Sequence, residues 1–71
     1  MHNILLEFGY IHAFDPFKGF GFIRRKEGKD VFFHYTSIPG DEHTITIGDN
    51  VSFEITKTPK GLKAMNVTRL T

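Results

Sequence analysis

Two short segments of the chain carry flat rings at alternating positions. In the first, Lys18-Gly19-Phe20-Gly21-Phe22-Ile23, two phenylalanines alternate with two glycines, and in the second, Val31-Phe32-Phe33-His34-Tyr35, Phe32 and His34 share one parity. Successive side chains of a strand point to opposite faces, so each segment would present its rings on one face. A row of rings beside bare glycine backbone suits stacking on nucleic-acid bases, because every base has a flat face.

The alternative is that these rings belong to the hydrophobic core. In the second segment, a histidine argues against burying both faces. We therefore predict Val31 and Phe33 inside and Phe32 and His34 outside. Tyr35 ends the predicted strand, where its hydroxyl would tolerate water.

Five segments have the β-branched and aromatic composition of strands, namely residues 9–14, 20–25, 31–35, 50–56 and 63–70. Turn-forming residues separate them, and no stretch shows a helical apolar period. In the fourth segment, alternation predicts that three side chains are buried, namely Val51, Phe53 and Ile55. The other three, Ser52, Glu54 and Thr56, are predicted to be exposed. Residues 44–47 are predicted to hold a short additional strand. Short strands and tight turns favour a closed or sandwich all-β fold.

The chain has 71 residues, enough for one domain with a thin core, and its 39% hydrophobic share argues against disorder. It has no cysteine, which excludes a disulfide framework. No apolar run is long enough for a membrane span or a signal peptide, so we expect a cytoplasmic protein without a membrane partner. Residues 1–8 are interpreted as an extension of the first strand. The expected state is a monomer, and the alternative is a dimer paired through this edge.

The net charge is only +1, but the charges are unevenly distributed. Residues 36–54 contain four acids and no lysine or arginine, whereas residues 57–71 contain four bases and no acid. Further cations lie in and beside the first ring-bearing segment. A polyanion can meet such a local basic field on a nearly neutral protein.

Motifs for catalysis are missing from the sequence. Gly19-Phe20-Gly21 lacks the lysine, the Ser/Thr and the helix of a phosphate loop. The four histidines and eight acids show no metal-ligand spacing, and no serine or lysine stands in a nucleophile motif. We therefore expect a non-enzymatic protein with no catalytic residue, metal, cofactor or small-molecule substrate.

Four segments together resemble the cold-shock domain family. They are Lys18-Gly19-Phe20-Gly21-Phe22-Ile23, Asp30-Val31-Phe32-Phe33-His34-Tyr35, Gly48-Asp49-Asn50-Val51-Ser52-Phe53-Glu54-Ile55 and Pro59-Lys60-Gly61-Leu62-Lys63-Ala64-Met65-Asn66-Val67. The resemblance covers residues 9–70 in the family's order and spacing. It implies a five-stranded antiparallel OB-fold-like Greek-key barrel that spans residues 1–71.

The resemblance also implies a set of ligand-facing residues. It assigns nucleic-acid contacts to His12, Phe14, Lys18, Phe20, Phe22, Phe32, His34, Tyr35 and Lys60. Ala13 stands where the family has a tryptophan, His12 replaces a lysine, and His43 replaces a phenylalanine. These departures should weaken binding. Phe17, by contrast, adds a ring immediately before Lys18 and joins the predicted site.

The resulting expectation is a protein that binds single-stranded RNA or DNA with low sequence selectivity. The implied role is an RNA chaperone, or a regulator of transcription or translation. The alternative is a barrel used as a protein- or oligosaccharide-interaction module. The choice between RNA and DNA has no composition signature, because it depends on contacts to the 2′-hydroxyl.

Overall fold

The structure is a computed structural model that describes residues 6–39 and 45–70. It contains five strands, β1 (Leu6–Asp15), β2 (Phe20–Arg25), β3 (Val31–His34), β4 (Asn50–Thr58) and β5 (Gly61–Arg69), and a 3-10 turn at Tyr35–Ser37. The five predicted strands are confirmed, and β1 begins three residues before its predicted start. Tyr35 starts the 3-10 turn instead of ending β3. No helix among the described residues is long and apolar enough to cross a membrane.

The strands close into a barrel in the order β1-β2-β3-β5-β4. This confirms the predicted all-β barrel. Neighbouring strands run antiparallel except β3 and β5, which pair in parallel through Phe32 and Lys63. The parallel pair brings the ring-bearing β3 next to the basic end of the chain.

A β-bulge in β1 changes which side chains point inward. Ile11 pairs with Ile23, but the next matched pair is Ala13 with Phe22, so His12 is an extra residue in β1. Such an insertion shifts the alternation of the strand by one position. Ile11 is buried before the bulge, and Phe14 packs against the core after it.

The core consists of aliphatic and aromatic side chains from all five strands and the long connection. Its buried members are Ile11, Ile23, Val31, Phe33, Ile38, Ile45, Val51, Phe53, Ala64 and Val67. The predicted burial of Val31, Phe33, Val51 and Phe53 is confirmed, and Ile55 is half-buried.

Two predictions about β4 and the connection before it are wrong. Ser52 is only 9% exposed, although it lies opposite the outward-facing Phe8, so side chains on that outer face cover it. Residues 45–47 form no strand. Instead, the backbone N–H of Thr46 donates to Oδ2 of Asp49 over 2.9 Å, and the N–H of Asp49 donates to the Thr46 carbonyl over 3.0 Å. These bonds make a turn, while Thr44 and the predicted replacement His43 lie outside the described residues.

Candidate nucleic-acid interface

Three phenylalanines and a histidine form a continuous aromatic face on β2 and β3. The register pairs Phe20 with His34 and Phe22 with Phe32, and directly opposed residues share a face. Ring centroids are 5.7 Å apart for Phe20–Phe32, 6.0 Å for Phe22–Phe32 and 6.3 Å for Phe20–Phe22. Phe22 is 38% exposed, and the other three members are half-buried. The aromatic face (Phe20, Phe22, Phe32 and His34) therefore offers flat surfaces to a ligand outside the barrel.

Gly21 separates two of these rings for a reason that lies on the inner side of β2. A Cβ atom at this position would lie 2.3 Å from the carbonyl oxygen of Ala13 and 2.8 Å from Cε1 of Phe33. Both distances are shorter than van der Waals contact, and one partner is backbone. Only glycine allows the bulged β1 and the Phe33 ring to approach this closely.

A tight turn between β1 and β2 presents Phe17 and Lys18 at the edge of the aromatic face. Oδ1 of Asp15 accepts hydrogen bonds from the backbone N–H groups of Phe17 (3.0 Å) and Lys18 (3.1 Å). The Gly19 N–H donates to the Asp15 carbonyl over 2.8 Å, which completes the turn. Phe17 is 99% exposed, so its ring is available to a ligand and fills no space beside Ala13.

Gly19 connects this turn to the ring of Tyr35. It has φ +74°, and a Cβ atom there would lie 2.7 Å from Cδ1 of Tyr35. The Tyr35 N–H donates to the Gly19 carbonyl over 2.8 Å. The ring of Tyr35 thus lies over bare backbone, and it is 43% exposed.

The hydrogen bonds of His34 determine which ring nitrogen faces a ligand. Nδ1 accepts a hydrogen bond from the Thr36 N–H over 3.3 Å and lies 2.8 Å from the Thr36 hydroxyl. A ring nitrogen that accepts is unprotonated, so Nε2 of the neutral ring carries the proton. The His34 and Tyr35 rings lie 4.9 Å apart. His34 therefore combines a stacking surface with an N–H donor for a base or a phosphate.

Lysines surround the other end of the aromatic face. Lys29, Lys60 and Lys63 line the depressions that Phe22 and Phe32 border. Lys63 is also the β5 partner of Phe32 in the parallel pair. We call these three lysines the basic rim.

Thr58 organises the β4–β5 turn that carries Lys60. Its hydroxyl donates to the Gly61 carbonyl over 2.7 Å and accepts from the Lys60 N–H over 3.2 Å. Gly61 has φ +130°, a conformation that favours glycine. The turn holds Lys60 beside the aromatic face at the end of β4.

Arg24 differs from the basic rim because an acid already holds it. Its Nε donates to Oδ1 of Asp30 over 3.1 Å, the one ion pair among the described residues. This hydrogen bond and the opposite charge raise the pKa of Arg24, and the same hydrogen bond lowers the pKa of Asp30. Nη2 of Arg24 also lies 3.1 Å from Nε2 of His12. Because a guanidinium only donates, His12 accepts this bond.

The predicted site residues lie in three places. Those around the aromatic face and its edges are Phe17, Lys18, Phe20, Phe22, Phe32, His34, Tyr35 and Lys60, and His12 lies farther along β1 beside Arg24. Phe14 lies elsewhere, because the bulge turns it inward onto Phe33. Phe14 is half-buried and also lines a depression shared with Phe17 and Tyr35.

Sequence reasoning left two members of the basic rim out of the predicted site. Lys29 lies in the turn before β3, and Lys63 lies in β5, 31 positions after Phe32. Lys29 is near Phe32 because it lies only three positions before it in the chain, whereas the proximity of Lys63 depends on closure of the barrel, which no local pattern encodes. No group of three or more potential metal ligands occurs in residues 6–39 and 45–70.

These features define a small OB-type barrel that presents its ligand chemistry on the outside of a sheet. Residues 7–70 match the family model described as the "'Cold-shock' DNA-binding domain". The chain belongs to the cold-shock domain family.

Curated relatives have the same length range. The chain is 40% identical over 67 residues to a retron Se72 cold shock-like protein of Salmonella heidelberg, covering 92% of this chain and 100% of that protein. It is 44% identical over 63 residues to cold shock protein CspD of Bacillus subtilis, covering 87% and 96% respectively. With cold shock-like protein CspC of Buchnera aphidicola it shares 49% identity over 61 residues, covering 83% and 88%.

A solved structure shows the same fold. The structure titled "drosophila Unr CSD456" superposes with a TM-score of 0.82 at 28% identity. The match covers 97% of this chain and 28% of that chain. The barrel thus corresponds to part of a longer protein in that case.

Proposed function

We propose that the protein binds single-stranded RNA or DNA on the aromatic face with low sequence selectivity. The observation that carries this proposal is the cluster of Phe20, Phe22 and Phe32, whose rings lie 5.7–6.3 Å apart on the outer surface beside Lys60 and Lys63. The description of the family as a DNA-binding domain supports the same ligand class.

The chemistry of the site selects unpaired bases. A ring can stack on a base only if that face of the base is not already covered by its neighbours in a duplex. Each base–aromatic contact contributes about 1–3 kcal/mol by alanine substitution and tolerates any base. Lysines of the basic rim then neutralise phosphates, which adds affinity that falls as salt concentration rises.

Holding bases apart from one another competes with hairpin formation. A protein with this activity would act as a cytoplasmic RNA chaperone, or as a regulator of transcription or translation that works through RNA structure. Its role is binding without catalysis, and the proposed binding unit is a monomer formed by residues 1–71.

The surroundings of the rings disfavour an oligosaccharide-binding module. Sugar sites need carboxylate or amide side chains near the rings to pair with hydroxyl groups. The depression beside Phe22 and Phe32 contains Asp30, but Arg24 already holds that carboxylate. The other charged groups there are lysines, which match a phosphodiester chain.

Titration with matched single-stranded RNA, single-stranded DNA and a blunt duplex tests the proposal. We expect measurable binding of a single strand, much weaker duplex binding, and a dissociation constant that rises with salt. Phe32→Ala serves as the loss-of-ring control. Equal affinity for the blunt duplex, or a salt-independent constant, would contradict the proposed site.

A further inference from the structure

Two more exposed rings lie on β1, beyond the aromatic face. Phe8 is 58% exposed and Tyr10 is 40% exposed, and both point outward because they alternate with inward-facing Gly9 and Ile11. Neither side chain belongs to the core or to its partly buried shell. Their exposure is therefore unexplained by the packing of the barrel.

Both rings line one depression together with cations. Its side chains include Phe8, Tyr10, Arg24, Lys26, Asn50 and Leu70. Among the described residues that line it, there is no acid. Arg24 is partly neutralised by Asp30, so Lys26 provides the main uncompensated charge.

We infer that Phe8 and Tyr10 form a second base-stacking subsite for a single-stranded nucleic acid. The inference rests on the proposed function, since it extends the path of the same strand. It assigns Lys26 to a phosphate and the two rings to one or two additional bases.

The second subsite is continuous with the aromatic face. Arg24 follows Phe22 by two positions on the outer face of β2, and it pairs across the sheet with Tyr10. The Tyr10 and His12 rings lie 6.5 Å apart, and Arg24 contacts His12. A bound nucleic-acid strand that extends beyond Phe22 can therefore pass over Arg24 to Tyr10 and then to Phe8. On this path it passes Ala13, which offers no ring.

The charge of the depression favours a polyanion over a second copy of the protein. In a symmetric pair, the same patch meets itself, so Arg24 and Lys26 of both copies would face each other. Like charges at an interface oppose association. A phosphodiester chain instead supplies the opposite charge and flat groups together.

Oligonucleotide length separates the two subsites in an experiment. An oligothymidine of about four nucleotides would reach only the aromatic face, whereas one of about twelve would reach both, within the range of OB-fold site sizes. We expect Phe8→Ala or Tyr10→Ala to weaken binding of the long oligonucleotide at least about fivefold and to leave the short one unchanged.

Three matched variants identify the interaction. Leu6→Ala changes a side chain of similar exposure, 55%, on the same face of β1, and should leave both affinities unchanged. Phe8→Trp should keep the affinity for the long oligonucleotide, and Phe8→Leu should lose it. A protein-docking surface would instead tolerate leucine and would also respond to Leu6→Ala.

Tyrosine fluorescence reports the contact directly. The chain has two tyrosines and no tryptophan, so Tyr10 is the sole emitter in Tyr35→Phe. Its emission should be quenched by the long oligonucleotide and unaffected by the short one. Absence of length-dependent quenching, equal losses for both lengths in Phe8→Ala, or a dimer in ultracentrifugation that Phe8→Ala dissociates would overturn the inference. If wild-type protein binds neither oligonucleotide, the proposed function itself fails.

Discussion

The ring of Phe14 stacks on the ring of Phe33, with centroids 5.9 Å apart and planes inclined by 14°. Phe33 is fully buried, and Phe14 covers it from the side of β1. Phe14 therefore joins the bulged strand to the core, while its neighbours Ala13 and Asp15 share the outer face with Phe22 and Phe20.

Phe14→Ala should lower stability more than it lowers affinity. Loss of its stacking on Phe33 should cost about 1–3 kcal/mol of unfolding free energy, whereas Phe33→Ala should cost about 3–5 kcal/mol. Urea denaturation measures both, with the exposed Phe17→Ala as the control that leaves stability unchanged. A Phe14→Ala protein with wild-type stability and strongly reduced affinity would show that Phe14 acts mainly on the ligand.

Phe20→Ala and Phe32→Ala should each weaken single-strand binding by about 1–3 kcal/mol and leave the fold largely intact. Their centroids are 5.7 Å apart, so one ring supports the orientation of the other. We expect the losses in the double variant to be non-additive. Calorimetric titration completes the cycle, and strictly additive losses would indicate two independent stacking positions.

Asp30→Asn should tighten single-strand binding. The substitution removes an acid beside the basic rim and releases Arg24 from its ion pair, which frees a further cation for phosphate. The slope of log affinity against log salt concentration should become steeper by about the amount expected for one additional phosphate contact. Titrations over a salt series measure this, with Glu27→Gln as a charge-matched control in the adjoining turn. An unchanged slope and affinity would mean that Arg24 lies outside the path of the ligand.

The same substitution has a pH-dependent effect on stability. Arg24 lowers the pKa of Asp30 in the folded protein, so the ion pair stabilises the fold above the unfolded pKa of about 4. This contribution is lost as pH falls through the lower folded pKa. The melting temperature of the wild type should therefore exceed that of Asp30→Asn near neutral pH, and the difference should vanish in acid. A difference that persists to the lowest pH would point to an effect other than ionisation.

Ala13→Trp should tighten single-strand binding by about 1 kcal/mol or more, within the range for one base–aromatic contact. Ala13 pairs with Phe22 on the outer face, so an indole there would extend the aromatic face toward Tyr10. Tryptophan emission quenched by an oligonucleotide would locate the contact. Weaker binding by Ala13→Trp, combined with a large loss in Phe17→Ala, would instead assign that stacking position to Phe17.

The sequence predicted best where strands alternate without interruption. In β3, parity together with the polar side chain of His34 separated buried Phe33 from outward Phe32, because no irregularity intervenes. In β1, parity could not have predicted that Phe14 packs on Phe33, since the extra residue at His12 shifts the alternation and has no signature in composition. In β4, alternation gave the direction of Ser52, but parity does not predict that neighbouring side chains cover it.

Long-range pairing set a second limit on sequence reasoning. Alternation gave all four members of the aromatic face and the resemblance gave the barrel, but the position of Lys63 beside Phe32 follows from a parallel pair between distant strands. The reason for glycine at position 21 also depends on contacts between strands. The sequence suggested that the missing side chain leaves room for bases on the outer face, whereas the contacts that require glycine lie on the inner side of the sheet.

The barrel is most weakly joined between β3 and β5. Among the described residues, Phe32 and Lys63 are the only matched pair there, whereas every other pair of neighbours is matched along several residues. Local opening costs least where few backbone hydrogen bonds must break, so the closed sheet should open transiently at this junction. A nucleic-acid strand that contacts Phe32 on one side of the junction and Lys60 and Lys63 on the other would bridge it. Binding of the nucleic acid would then slow amide exchange in β3 and β5, because the ligand would keep these two strands together and so stabilise the closed barrel.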